Sequence, residues 1–274
     1  MFVIISQLVY TVFSSLREQE RKMEQSTEQL KKRFIELSIR SDRANQFVFT
    51  DFLSLAEQSV LHEALFYEPN AHFTCFGGIP DAERVMVRFG DSESLGYEEP
   101  FPVVCLMIKP LITKFAEDLS HRDYLGAFMS LGIDRSLIGD ILVKEKQAYV
   151  FVADRIAPYI CEQIDSIRHT HVSCTVYEGQ MEAFAPTLQT EEHIVSSLRL
   201  DGIVAKLYHL SRSQSLALFS KQKVFVNGRL FENNSGALKE GDIVSVRGFG
   251  RFRFDGKVAD TKKGKLRIRV VRYL

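Results

Sequence analysis

Residues 221–227 (KQKVFVN) alternate in polarity and end on the dipeptide Asn227-Gly228. Alternation puts one set of side chains on each face of a strand. Asn-Gly supplies two neighbours that tolerate positive φ, as a two-residue hairpin turn requires. A hairpin is expected here, and it constrains what lies on either side. Upstream, Leu200, Ile203, Val204 and Leu207 fall on one helical face. Ser211 is placed to cap a second short helix carrying Leu216, Leu218 and Phe219. Downstream, Glu240-Gly241-Asp242 reads as a turn into a strand over 243–246. The segment 199–248 is therefore expected to form two short helices and then antiparallel strands.

Charge singles out the same end of the chain. Over all 274 residues, 35 Lys+Arg balance 35 Asp+Glu, but residues 191–274 hold 17 basic and 8 acidic residues. The remainder is acidic, with 18 against 27. A basic region on an acidic body points to a localised polyanion contact or to a solvated basic face. The cations cluster at the edges of the predicted elements: Arg199, Arg212, Lys221, Lys223, Arg229 and Arg247. A capped helix start offers backbone N–H groups to phosphate oxygens, so Ser211, Arg212 and Ser213 form the leading phosphate-binding candidate. Arg199 and Asn227 have a competing structural reading, fixing the helix entry and the turn. Lys262, Lys263, Lys265, Arg267 and Arg269 form a basic tail, with Arg272 beyond it. In residues 265–271 the cations point one way and Leu266, Ile268 and Val270 the other. A strand face of one sign needs counter-ions, so phosphate contact competes with a plain solvated edge. Phe249, Phe252 and Phe254, beside Arg251 and Arg253, read either as base-stacking rings or as core.

The rest of the chain reads as mixed α and β. Residues 24–68 read as helical, with a cap at Ser26 or Thr27, a second helix over about 54–66, and a break at Pro69-Asn70. Short strands are expected over 72–76 and 84–89, with the turn Gly77-Gly78 between them. Residues 91–100 read as an acidic loop. From 103 to 177 the order is β-α-β-β-α-β, a ferredoxin-like arrangement, including a charged turn at 144–146 and a helix from 154 to about 167. Tyr149 and Phe151 share one strand face, as base-stacking residues would. The glycine and basic positions of an RNA-recognition strand are absent, so core packing is the expectation. Residues 178–190 read as a linker. The fold class expected is α+β in three parts: a small N-terminal α/β unit (24–98), a ferredoxin-like middle domain (99–180) and a basic C-terminal domain (191–274).

Several classes are excluded or disfavoured. The apolar stretch 1–16 falls short of the ~20 residues of a membrane span and lacks signal-peptide features. It reads as a docked helix or as an extension ahead of a start at Met23, with the balance toward the second. The four cysteines show no C-x-x-C spacing and read as buried thiols in a reducing cytoplasm. No metal site or cofactor is expected. His121-Arg122-Asp123 lacks the remaining residues of a kinase loop, and Asp123 reads instead as a helix-start acid.

These elements together resemble an S4 RNA-binding domain. The residues carrying the likeness are Arg199-Leu200-Asp201, Ser211-Arg212-Ser213, the run from Lys221 or Lys223 through Gly228, and the Gly241-Asp242 turn. Residues 121–141 (HRDYLGAFMSLGIDRSLIGDI) and 246–252 (VRGFGRF), with the T-K-K-G-K segment that follows, resemble the YlmH-type S4 proteins. Residues 50–53 (TDFL) and 76–80 (FGGIP) are similar to that family's N-terminal domain. The likeness runs from about residue 45 to the end and is not seen before about residue 30. It implies a non-catalytic RNA-binding protein of bacterial or plastid-related type. The implied partners are ribosomal RNA of the large subunit, with transfer RNA as a further candidate, and the implied role is rescue of stalled nascent chains. No membrane or small-molecule partner is implied. An S4-bearing pseudouridine synthase is the enzyme alternative, although Leu198 stands where its G-R-L-D motif needs glycine. A protein-interaction adaptor is the third reading.

Overall fold

The computed structural model describes residues 24–66, 68, 71–180, 184, 186–262 and 264–274. The apolar N-terminal segment, the Pro69-Asn70 break and Lys263 lie outside the described residues. The protein is mixed α and β with several sheets, and the chain divides into two compact units.

The first unit takes in the described residues from 24 to 50, Glu57–Cys75 and Met86–Phe101. Residues 24–44 form helix α1. After it come β1 (Val48–Phe49), α2 (Leu55–Leu65), β2 (Phe73–Phe76), β3 (Met86–Phe89) and α3 (Ser92–Leu95). The strands pair in the order β1-β3-β2. Two helices were expected within 24–68, the second from about residue 54, but between them Val48 and Phe49 pair with Phe89 and Arg88 as a strand. A β-branched residue beside an aromatic one suits a half-buried strand better than a helix. The acidic segment 91–100 is also more ordered than expected. Asp91 caps α3 by accepting from Ser94 N at 3.0 Å, and Gly96 closes the helix at φ 78. Arg88 anchors the segment, 4.5 Å from the Phe47 ring and 2.8 Å from Glu98.

The second unit combines residues 51–56 and 76–85 with everything from Pro102 onward. Its first sheet holds β4 (Val103–Pro110), β5 (Ile138–Lys144), β6 (Gln147–Ala153), β7 (Ser166–Ile167) and β8 (Thr170–Val176). The spatial order is β5-β6-β4-β8-β7, and every pairing is antiparallel. Helix α4 (His121–Ser130) follows β4, and α5 (Ala157–Gln163) follows β6. Tyr124, Phe128 and Ile160 from these helices share a core with Leu106, Ile108, Val150 and Val152 of the sheet. As expected, Asp123 serves the start of α4, accepting from Ser120 N at 2.8 Å. The charged β5–β6 turn is also as expected, with Glu145 and Lys146 both at positive φ. The helix expected over 154–167 stops at Gln163, because Ser166 and Ile167 turn back to pair with β8 through Arg168 at φ 53. Ile164 and Ile167 are buried all the same, so burial mimicked a helical period.

The opposite face of this sheet is closed by the chain itself. Tyr149 packs on Tyr177 (5.1 Å between ring centroids) and Phe184 (4.3 Å). Gly78 lies so close to Phe151 that a Cβ there would stand 2.1 Å from the ring. Gly139 is wedged between Phe52 and Phe151 in the same way. Arg84 fastens this cover by donating to the carbonyls of Ile138 (2.9 Å) and Phe52 (3.0 Å). Asp140 accepts from Glu83 N and Arg84 N at 2.7 and 3.1 Å, and burial raises its carboxyl pKa. Tyr149 and Phe151 are thus core residues.

The second sheet runs β11-β10-β12-β13-β14-β9, all antiparallel. Its strands are β9 (Leu188–Val195), β10 (Val224–Val226), β11 (Arg229–Leu230), β12 (Ile243–Val246), β13 (Gly250–Asp260) and β14 (Leu266–Tyr273). Helices α6 (Leu200–Leu207) and α7 (Arg212–Ser220) pack on one face. Leu200, Ile203, Val204, Leu207, Leu218 and Phe219 meet Val224, Val244, Phe252, Ile268 and Val270 there. Burying each such side chain contributes about 1.5–3 kcal/mol. Asn227 and Gly228 form the expected turn, at φ 49 and 74. Strand β9 overturns part of the linker expectation, because residues 188–195 pair along β14. The cysteines differ from expectation too. Cys105 is buried, Cys75 is exposed on β2, and the sulfurs of the half-buried Cys161 and Cys174 lie 3.1 Å apart. Among the described residues, no cluster of His, Cys, Asp or Glu is placed to hold a metal ion, and no helix is long and apolar enough to cross a membrane.

Candidate nucleic-acid interface

The candidate interface lies on α6, α7 and the β10–β11 turn. Its foundation is Asp201, only 3% exposed. Arg199, at the N-cap of α6, grips it with two hydrogen bonds of 3.1 and 3.0 Å. The Arg199 hydrogen bond holds the Asp201 carboxyl below its ordinary pKa of 3.8. Ser215, fully buried in α7, donates to the Asp201 carbonyl at 2.7 Å and locks the two helices together. Arg199 therefore has the structural role weighed for it, fixing the helix entry.

That lock sets the start of α7. Ser211 and Gln214 form a reciprocal capping box: Gln214 N donates to Ser211 Oγ at 3.2 Å, and Ser211 N donates to Gln214 Oε1 at 2.8 Å. The Ser213 hydroxyl lies 3.0 Å from that of Ser211. Ser211, Arg212 and Ser213 are all exposed. At the other end of α7, Lys221 and Lys223 are exposed as well. Among the described residues, no carboxylate forms an ion pair with Arg212, Lys221 or Lys223. Exposed cations outside any ion pair are what a polyanion needs, since their charge is still available for phosphate.

The other sequence candidates separate from this group. Asn227 is structural: its amide donates to Asp242 at 2.9 Å and accepts from Ile243 N at 2.9 Å, tying the hairpin turn to β12. Arg229 is exposed on β11. Arg247 is exposed and lies 4.4 Å from the Phe225 ring. Arg251 is largely covered, 3.3 Å from Glu83 and 4.0 Å from the Tyr273 ring. Phe252 and Phe254 are core, while Phe249 is exposed and packs on Tyr208.

The basic tail has counter-ions that the sequence did not reveal. Arg269 and Arg267 lie 3.1 and 3.9 Å from Glu192, and Arg272 lies 3.5 Å from Glu191, both glutamates belonging to β9. Reading 188–190 as linker hid this pairing, and 190–195 (TEEHIV) has no polar–apolar alternation to signal a strand. Lys262 and Lys265 remain exposed at the β13–β14 turn. Tyr208 was not anticipated either. Burial pushes its phenol up to about 12, and its hydroxyl has no partner among the described residues.

A capped helix start beside exposed cations, held by a buried aspartate, suits the phosphates of an RNA and so the class of RNA-binding proteins. The family comparison agrees with that class. Residues 97–180 match a family model described as "Putative RNA-binding domain in YlmH". The chain is 30% identical over 220 residues to the ribosome-associated protein quality control protein P2 of Bacillus subtilis (strain 168), a match covering 80% of this chain and 84% of that protein. A solved structure of the cell division protein ylmH from Streptococcus pneumoniae aligns with 20% identity and a TM-score of 0.45, over 56% of this chain and 91% of that one. The chain belongs to the YlmH family.

Proposed function

We propose that this protein binds structured RNA without catalysis, that the RNA is ribosomal RNA of the large subunit, and that binding serves the rescue of stalled ribosomes in the cytoplasm. The observation that carries the proposal is the capped start of α7 with Arg212, Lys221 and Lys223 exposed around it. We read α6, α7 and the hairpin as an S4 domain, in keeping with two helices packed on the face of an antiparallel sheet. We read 102–177 as ferredoxin-like, in keeping with the strand order β5-β6-β4-β8 and a helix after the first and third of its four strands. The B. subtilis relative's name supplies the ribosomal and quality-control context. The aspartate that a pseudouridine-synthase reading would need is Asp201, and its carboxylate is buried and committed to Arg199.

The test is co-sedimentation with ribosomal subunits across a salt series, comparing wild type with Arg212→Ala/Lys223→Ala. Wild type is expected with the large subunit. The double variant should bind more weakly and reduce the slope of log affinity against log salt by roughly 1.4–1.8, the loss of two phosphate contacts. Transfer RNA is scored in parallel. Wild type remaining at the top of the gradient at low salt overturns the ribosomal reading. An unchanged slope in the double variant overturns the assignment of the face.

A further inference from the structure

We propose that the C-terminal sheet carries a second RNA contact, a cleft that holds one nucleotide of an RNA strand between Phe225, Tyr273 and Arg247. The proposal rests on the RNA-binding reading above and adds a site on the face of the sheet turned away from α6 and α7.

Strand register builds the cleft. Phe225 pairs with Ser245, Ser245 with Arg251, and Arg251 with Tyr273. Register partners share a face, so these four side chains make one row across four strands. Their sequence neighbours Val224, Val226, Val244, Val246 and Phe252 point the other way into the core. The row forms the floor of an open cleft of about 640 Å³, with Ser54, Leu55 and Ala56 as the opposite wall. That volume is within the range of small-ligand pockets.

The chemistry of the row is that of a nucleotide site. Each aromatic ring carries a guanidinium on its face: Arg247 is 4.4 Å from the Phe225 ring and Arg251 is 4.0 Å from the Tyr273 ring. Among the described residues, neither ring has an aromatic neighbour, and both are only half-buried. A planar base stacks on either kind of surface, whatever its sequence. The two ends of the cleft differ in charge. Glu83 sits 3.3 Å from Arg251 and disfavours phosphate there. Arg247 is exposed, and no carboxylate pairs with it among the described residues. The base therefore belongs at the Tyr273 ring, and the phosphate at Arg247 beside Phe225. Ser245, between the rings, offers its hydroxyl to a base edge or sugar.

The chain contains no tryptophan, so Phe225→Trp installs a single tryptophan in the cleft, excited at wavelengths the tyrosines do not absorb. The probes are a ten-residue oligoadenylate and AMP. The oligoadenylate is expected to quench the Phe225→Trp emission. Adding Arg247→Ala should weaken that binding about 10- to 150-fold, the range for losing a hydrogen bond between charged groups. AMP at equal nucleotide concentration should quench far less. No quenching, no effect of Arg247→Ala, or AMP binding as tightly as the oligomer each overturns the proposal. If Phe225→Trp does not fold, ultraviolet crosslinking of the unaltered protein to a 4-thiouridine oligomer replaces it. Adducts on the peptides holding Phe225 or Tyr273 support the site, and adducts only elsewhere overturn it. Loss of quenching with subunit co-sedimentation intact defeats the cleft alone. Quenching without co-sedimentation defeats the ribosomal reading alone.

Discussion

Replacing Gly228 with alanine tests the geometry on which that cleft depends. Gly228 stands at φ 74, and a Cβ there would lie 2.4 Å from Ala56 N and 2.8 Å from Leu55 Cβ. A backbone nitrogen cannot rotate out of the way, so the hairpin must withdraw from residues 54–56. Gly241 is a matched control: it has φ 89, but nothing lies within 4 Å of its Cβ position. Gly241→Ala should therefore cost only the left-handed backbone penalty, about 1–2 kcal/mol. Gly228→Ala should cost the same penalty plus overpacking of roughly 1–3 kcal/mol. Urea unfolding of both variants, compared at equal m-values, measures the difference directly. Equal midpoints would refute the close approach of the β10–β11 turn to residues 54–56.

Two further outcomes are expected. Asp201→Asn should cost about 2 kcal/mol at neutral pH, the scale of a hydrogen bond to a charged group. Because the folded pKa of Asp201 lies below its ordinary 3.8, its contribution is complete above that value and fades as pH falls through the folded value. Urea midpoints of wild type and Asp201→Asn should thus converge in acid, and a gap that stays constant as pH falls below the ordinary 3.8 until the protein unfolds would contradict the ion pair. Glu192→Gln releases Arg267 and Arg269; both pairs are partly exposed, so stability should fall by less than about 1 kcal/mol. If the phosphate contacts lie on α7 and β10, RNA affinity should change less than about twofold. A tenfold gain in a filter-binding assay would move the RNA face to β14.

What the sequence disclosed follows from how local each signal is. Asn227-Gly228, the Ser211 cap and the face of α6 depend on neighbours within a few residues, and all three appear as read. Strand β9 depends on β14, some 75 residues away, whose arginines turn Glu191 and Glu192 from solvated charges into cross-strand partners. The end of α5 was missed for the opposite reason: Ile164 and Ile167 are buried, but by a turn into β7. At the candidate site, exposure of Arg212, Lys221 and Lys223 was legible, whereas the commitment of Arg199 to a buried carboxylate was visible only in three dimensions.

The covered sheet of the middle region has a practical consequence for truncation. The family match spans 97–180, yet Gly78, Phe52, Arg84 and Phe184, which close over Tyr149 and Phe151, all lie outside those limits. A fragment cut at the boundaries of the match would bare Phe151 to water and leave Tyr149 covered only by Tyr177. Such a fragment should self-associate, because an apolar surface made for burial finds its cover in another copy. The smallest piece that behaves as a monomer should instead begin before Asp51 and end after Phe184, so here the recognisable module and the cooperative folding unit are different lengths of chain.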